Sequence, residues 1–466
     1  MFERIRGFFM NVLNFFHATR IEELTGVETS VSSEMYQRIN LWAQIAADKA
    51  PWSDHAKSCG LPDQIAGRLN YYVKREIGLE VKNDALAQPM KHLNKNVGRV
   101  VEYIALHGSG LLRPIYAQSK LQYELIPLGN YLPTKYDFDG TLTGAVILKK
   151  IEDGKRVFLL CESHDFDGAS HTVTLKLYES RDGKLRETSL AACQQTAELT
   201  PVYVWENCGR PMVVEFRSGV TNKIDGSAVP VALIDAAVDL IQMADEQFAR
   251  MDWEQEAGEK RVFADSDMFA KRVTRDGQQQ GVELTKTLNK LIVKIDGDGA
   301  GGDAKIHEYS PELRTEAQEK YLQAVLKRIE QTINLGKGTI SDAEQVQQTA
   351  TQYTGGRQEL YAIVDEIEDE IAAKYAEAAE VFAYMAGAYQ VKGAPRPGES
   401  DLYTIKWNDD QTRKDIIQSK QIAMQEISAG VLNKWEYRRD YYGEDEATAK
   451  ALVPPEPALA APFGLA

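Results

Sequence analysis

The sequence predicts an α+β fold, with helices and antiparallel strands in separate stretches of the chain. Three features carry this reading. Residues 310–390 step by threes and fours through two long helices, residues 111–216 turn to β-type alternation, and helical patterns flank both.

Taken in order, residues 1–16 come first. They carry Phe2, Ile5, Phe8, Phe9, Val12, Leu13 and Phe16, interleaved with Glu3, Arg4 and Arg6 and interrupted by Asn11 and Asn14. No small-residue cleavage site follows, so the stretch does not read as a signal peptide. It reads as an amphipathic helix docked on the body or on a neighbouring copy, with a membrane-surface helix as the second reading. No apolar run reaches about 18 residues, and no transmembrane helix is expected. Residues 32–49 read as a helix with Met35, Ile39, Trp42, Ile45 and Ala46 on one face and Pro51 closing it. Residues 61–77 and 93–106 are further helices, and Gly108-Ser109-Gly110 marks a change of character.

Between residues 111 and 216, Thr172 through Tyr178 alternate with period two. Asp139-Gly140, Asp153-Gly154 and Asp182-Gly183 carry the short hairpin signal. An antiparallel, meandering sheet region is expected. Helix resumes after the turn at 221–227, with Pro230 in its first turn. Val231, Ile234, Val238, Ile241 and Phe248 form its buried stripe and Gly258 its stop. Residues 261–308 read as a small insertion: a short helix over 265–271, a polar linker, a strand over 291–295 and an acidic, glycine-rich tip over 296–303.

Ser310-Pro311 opens the next long helix, with the hydroxyl as N-cap and the proline at the first helical position. Leu322, Val325, Leu326, Ile329 and Ile333 form its stripe. Residues 335–339 break the pattern, and Ser341-Asp342-Ala343-Glu344 has the spacing of a capping box that restarts helix. Leu360, Val364, Ile367, Ile371, Tyr375, Ala378, Phe382, Met385 and Tyr389 then mark a helix from about 356 to 389, roughly 50 Å long. Such a stripe is expected to need a partner along its length, from the same chain or from another copy. Pro395, Pro397 and Gly398 form a linker and residues 403–407 a strand. Residues 410–428, 433–442 and 444–452 read as short helices with Gly430 and Gly443 as stops. Residues 453–466, rich in Pro and Ala, are expected to be disordered.

Charge and motifs exclude several functions. The net charge of −15, from 69 acidic and 54 basic residues, is wrong for a protein that wraps nucleic acid tightly, because phosphate neutralisation needs Lys and Arg. The four cysteines, Cys59, Cys161, Cys193 and Cys208, form no CxxC pair, and the seven histidines form no HxxxH or HExxH pattern. Gly297, Gly299 and Gly302 match GxGxxG, yet Asp298 and Asp303 would face the phosphates and no apolar helix follows. Asp296, Asp298 and Asp303 suggest calcium, but His307 stands where an EF-hand needs its bidentate acid. Gly336-Lys337 lacks the P-loop glycine, since Gln331 occupies that position. Glu162 and His164, two apart in a strand, read as a surface or sheet pair rather than an acid/base couple. No catalytic residue, cofactor or metal is expected. The last long helix has an acidic face that includes Asp365, Glu366, Glu368, Asp369 and Glu370.

The order of these parts resembles the portal proteins of tailed bacteriophages, of the siphophage type. The segments that carry the resemblance are residues 1–9, Trp42, 101–108, 222–225, 234–240, Glu254, 260–262, 309–314, Gly338-Thr339, 348–351, 428–430 and 443–447. The resemblance implies a portal-type subunit with long stem and spine helices, a central antiparallel β wing, a small α/β clip and a helical crown. Residues 1–225 would be the wing, 226–260 the first stem helix, 261–308 the clip and 309–335 the second stem helix. Residues 336–348 would be the tunnel loop, 349–392 the spine helix, 393–409 a linker with a wing strand, 410–453 the crown and 454–466 a tail. It further implies a homododecamer ring at one capsid vertex of the virion, assembled in the host cytoplasm. Double-stranded DNA would be packaged through the ring by the terminase and ejected through it later.

Partners by the same resemblance are the large terminase subunit, the major capsid and scaffolding proteins, and the head-completion or adaptor proteins. Gly336, Lys337, Gly338, Thr339 and Ser341 would meet DNA in the channel; Asp296, Asp298 and Asp303 would meet partners at the clip; Asp365, Glu366 and Asp369 would give a negatively charged face. The alternative is another capsid-associated structural or scaffolding protein, and an enzyme is the least favoured reading.

Overall fold

The computed structural model describes residues 26–181, 184–265, 271–273, 279–281, 292–295, 306–309, 312–342, 358–395, 399, 402–407, 416–442 and 444–453. Ser32 caps α1 (Ser33–Ala46), its Oγ accepting the Met35 N–H at 3.1 Å, and Met35, Ile39, Trp42 and Ile45 are buried along one face. The helix stops well short of Pro51, because Asp48 turns the backbone into the left-handed region at φ 56°. Next come α2 (Leu61–Glu76) and β1 (Ile77–Val81). The helix expected over 93–106 is two, α3 (Asp84–Lys95) and α4 (Val97–His107). They part at Asn96, whose amide donates to the Tyr123 hydroxyl at 3.0 Å and holds the chain at the bend.

The β region is antiparallel, as its alternation predicts, but it forms two sheets rather than one meander. One joins β2 (Ser109–Ala117) and β3 (Lys120–Pro127) to β10 (Val214–Arg217), in the order β10-β2-β3. The other runs β4 (Tyr131–Tyr136), β5 (Leu142–Asp153), β6 (Arg156–Phe166), β7 (His171–Arg181) and β8 (Lys184–Thr188), with β9 (Val202–Trp205) also on β7. Asp153 pairs with Arg156 across the Asp153-Gly154 hairpin, and Gly154 takes the φ of 64° that this tight turn needs. Asp182 and Gly183 lie outside the described residues.

The first long helix, α5 (Val238–Ala257), begins after a single 3₁₀ turn and not at Pro230. Residues 229–234 are instead spread over the end of α4. The Ile234 N–H bonds to Ala105 O at 3.3 Å, Ser218 Oγ donates to Val231 O, and Gly108 sits backbone to backbone against Pro230, Val231 and Ala232. Phe248, expected on the buried stripe, is exposed; the stripe runs instead through Ala244 and Asp245, where Asp245 accepts the Trp52 indole N–H at 2.9 Å and the Cys59 N–H at 2.8 Å.

In the insertion that follows, β11 (Arg261–Asp265) lies between β14 (Ile292–Ile295), parallel to it, and β15 (Ile306–Tyr309), antiparallel. A hairpin of β12 (Lys271–Val273) and β13 (Gln279–Gly281) joins them in sequence. The short helix expected over 265–271 is corrected at both ends, since Asp265 and Lys271 are strand residues.

The second long helix, α6 (Thr315–Thr332), packs antiparallel to α5. Ser310 and Pro311 lie outside the described residues, and the helix starts at Thr315 rather than behind that proline. Its start is held from the neighbouring helix: Glu254 Oε1 accepts the Arg314 backbone N–H at 2.9 Å and Glu254 Oε2 accepts an Arg314 guanidinium N–H at 3.2 Å.

The long helix α7 (Gln358–Ala388) buries Leu360, Val364, Ile367, Ile371, Tyr375, Ala378, Phe382 and Met385, while Tyr389 lies beyond its end, exposed and stacked on Tyr116. This stripe does not call for another copy. It is covered within the chain by α2, α3, β2, β3 and β10. The strand expected over 403–407 is β16 (Tyr403–Trp407), antiparallel to β1 with Ile77 opposite Trp407. Three helices close the described chain: α8 (Ile416–Ser428), α9 (Lys434–Tyr442) and α10 (Glu446–Ala451). Mixed helices and antiparallel sheets thus make an α+β architecture. Among the described residues, no helix is long and apolar enough to cross a membrane.

Candidate functional site

The break after α6 is a compact turn built on Glu330. Glu330 sits four residues after Leu326 and three before Ile333, on the apolar face of the helix, and only 1% of it is exposed. Asn334 ends the helix with φ 54°, and the Leu335 N–H returns to Glu330 O at 2.9 Å. Gly336 and Gly338, at φ 70° and 76°, then curl the chain back over the helix end. The Glu330 carboxylate collects the amides this exposes: Gly338 N–H at 3.1 Å, Ile340 N–H at 2.7 Å and Ser341 N–H at 2.8 Å, with the Ser341 hydroxyl at 2.8 Å. Thr339 donates its hydroxyl to Leu335 O at 2.6 Å.

The five residues expected to meet DNA therefore divide. Thr339, Ser341 and Gly336 are buried and shape the turn, Gly338 is half-buried, and Lys337 alone is exposed at the tip. The glycines bend this segment onto a buried carboxylate rather than leaving it loose. The helix restart expected at Ala343 and Glu344 lies outside the described residues, and Ser341 uses its hydroxyl on Glu330.

Beside the turn lies a cleft of about 770 Å³ between the end of α6, the chain leaving β10, and α7. Its apolar lining includes Ile104, Val220, Leu233, Ile333, Ile363 and Ile367. Glu366, Asp369 and Glu370 give it an acidic wall, so three of the acidic-face residues named from the sequence share one site with the turn. Asp365 is exposed and does not line it.

Among the described residues Arg217 is the one basic residue in the lining, and its guanidinium is already committed to Gly140 O at 2.6 Å and Ala228 O at 2.7 Å. Its backbone N–H donates to Glu370 Oε1 at 2.9 Å, and burial pushes the Glu370 carboxyl above the usual range. Gly219 leaves the room that the Glu366 side chain occupies. Neither Glu366 nor Asp369 has a hydrogen-bond or ion-pair partner among the described residues. Sequence reasoning missed Glu330 and Arg217. For Glu330 the signal was available, because an acid falls on an apolar helical face.

Glu162 and His164 are a sheet pair, but a buried one, each 3% exposed. Met212 N–H donates to His171 Nδ1 at 3.2 Å, so His171 Nε2–H donates to His164 Nδ1 at 2.9 Å and His164 Nε2–H to Glu162 Oε1 at 2.9 Å. Arg113 Nε completes the chain on Glu162 Oε1 at 2.7 Å. Burial pushes the Glu162 carboxyl up, but His164 and Arg113 outweigh it and hold it down at about 2. Burial and the neighbouring His164 push His171 down to about 3. Every ring nitrogen of the two imidazoles has a hydrogen-bond partner, which suits a locked internal brace.

Asp296, Asp298 and Asp303 lie outside the described residues. Among the described residues, no group of His, Cys, Asp and Glu is arranged to hold a metal ion. No protein-family model matches the chain, and no curated protein matches it.

Proposed function

We propose that the chain is a portal-type subunit, one of a ring of identical copies through which double-stranded DNA is packaged and later ejected. The observation that carries this reading is the arrangement of the two long helices. The antiparallel pair α5 and α6 bears a small β module inserted at one end and, at the other, the Glu330-braced turn that exposes Lys337. Covering of the spine helix within one chain removes one argument for a ring, and the stem pair supplies another. Phe248, Met243 and Trp253 on α5, with Tyr321 on α6 and Leu313 before it, are large apolar side chains left exposed, a surface suited to burial between neighbours. Net acidity suits a passage that guides a polyanion without holding it.

In this reading the insertion faces the terminase and the head-completion proteins, and Lys337 forms a ring of weak phosphate contacts. Light scattering on a sizing column tests it. A mass many times 52.1 kDa is expected, with rings around a central hole in negative-stain images. A strictly monomeric protein at high concentration, with no ring in virions, overturns it.

A further inference from the structure

The two sides of α5 are unlike. Where its end meets the start of α6, Phe248, Met251 and Leu313 line a pocket of about 210 Å³, with Asp252, Glu254 and Gln318 also in its wall. Leu313 seats against α5 because Gly258 has no side chain there, and Glu254 fixes Arg314 beside it. The pocket is smaller than the roughly 300–1,000 Å³ of a small-molecule site, and it suits one large apolar side chain.

On the other side of the same helix Trp253 projects with 67% of its surface exposed. Phe248, Met251, Asp252 and Gln255 centre about 150° away from it around the helix, at roughly 100° per residue. Trp253 therefore cannot reach the pocket of its own chain. Along the helix axis, however, it stands within about 3 Å of the pocket's centre. For copies whose α5 helices stand side by side, a contact between such unlike faces is heterologous. With no rise from one copy to the next, it closes into a ring instead of climbing into a filament.

Charge agrees. Arg250 lies one turn from Trp253 on that side and is exposed, and its 3.5 Å ion pair with Glu246 is of the weak surface kind. Asp252, on the pocket side, is exposed and has no hydrogen-bond or ion-pair partner among the described residues. The two positions differ by about 3 Å along the axis, so side-by-side copies bring one to the other.

We infer that Trp253 of one copy fills the pocket of Phe248, Met251 and Leu313 on the next, with Arg250 facing Asp252 across the contact. The inference rests on the proposed ring and names the contact that closes it. A tryptophan buried in a fitted pocket is the kind of residue that dominates an interface.

Photo-crosslinking in the full chain tests it, with benzoylphenylalanine in place of Trp253. The expected product runs as two or more joined chains, and its crosslinked peptides map to residues 248–255 or 313–318. Trp253→Ala should weaken self-association by about tenfold or more with an unchanged thermal melt, since the side chain is exposed in the single copy. Arg250→Asp and Asp252→Arg should each weaken association, and the two together should restore part of the loss. Assemblies formed equally well by Trp253→Ala, a double swap no better than either single one, or crosslinks confined to other surfaces each overturn this contact while the ring stands. A parent protein that stays monomeric at high concentration overturns the contact and the ring together.

Discussion

Glu330 holds Ser341 twice: one carboxylate oxygen accepts its backbone N–H and the other its hydroxyl, both at 2.8 Å. Eleven positions apart, these residues turn a glycine-bearing break into a closed structure with Lys337 at its tip. A buried carboxylate with several amide donors is strongly stabilising once formed and costly to remove, since the amides it leaves behind lose both protein and solvent partners.

Glu330→Ala should therefore destabilise the protein by about 3 kcal/mol or more, because three backbone N–H groups are left unsatisfied. Urea unfolding gives the total. Amide hydrogen exchange at Gly338, Ile340 and Ser341 localises the effect, and unchanged protection at all three amides would remove Glu330 from this role.

Lys337→Glu should leave folding unchanged within about 0.5 kcal/mol, because the side chain is exposed and the turn is held by Glu330 and Thr339. Under the proposed function it should reduce the DNA packaged or retained per head. Heads that incorporate the variant normally and hold a full complement of DNA would show that this lysine has no part in retention.

Acid should weaken the β region in two overlapping steps. His171 has its folded value lowered from 6.5 to about 3, so the unfolded chain binds the extra proton first; its contribution is complete above about pH 6.5 and is lost as pH falls toward 3. Glu162, lowered from 4.5 to about 2, contributes fully above about 4.5 and loses that contribution as pH falls toward 2. Each proton adds a slope of at most about 1.4 kcal/mol per pH unit. Urea midpoints of the parent between pH 7 and pH 4 should fall more steeply than those of His171→Gln, and equal slopes would contradict the assignment to His171.

Gly108→Ala should cost at least about 2 kcal/mol, since Gly108 sits at φ 85° and an added Cβ would lie 2.8 Å from the backbone carbon of Val231. A thermal melt measures it. A neutral result would mean that the crossing of α4 by residues 229–234 is looser than this packing implies.

Local periodicity carried much of the fold. The stripe from Leu360 to Met385, the Asp153-Gly154 hairpin and the apolar face of Met35, Ile39, Trp42 and Ile45 were legible because each depends on residues a few positions apart. The break around Gly336 and the acidic run on α7 were legible for the same reason. What they face was not.

Tertiary structure decided the rest, through bonds between residues far apart in sequence. Pro230 and Val231 carry a helical pattern, yet Gly108, Ala105 and Ser218 claim that backbone, and α5 waits until Val238. The long stripe of α7 reads as needing a partner from the same chain or from another copy, and strands and helices of the same chain cover it. His164 and His171 become one brace only because β6 and β7 pair, and Glu330 gathers the turn only because the glycines send it back over the helix end. A sequence pattern states which groups must be buried or bonded; only the folded chain assigns their partners, because backbone amides and carboxylates take whatever satisfies them most fully.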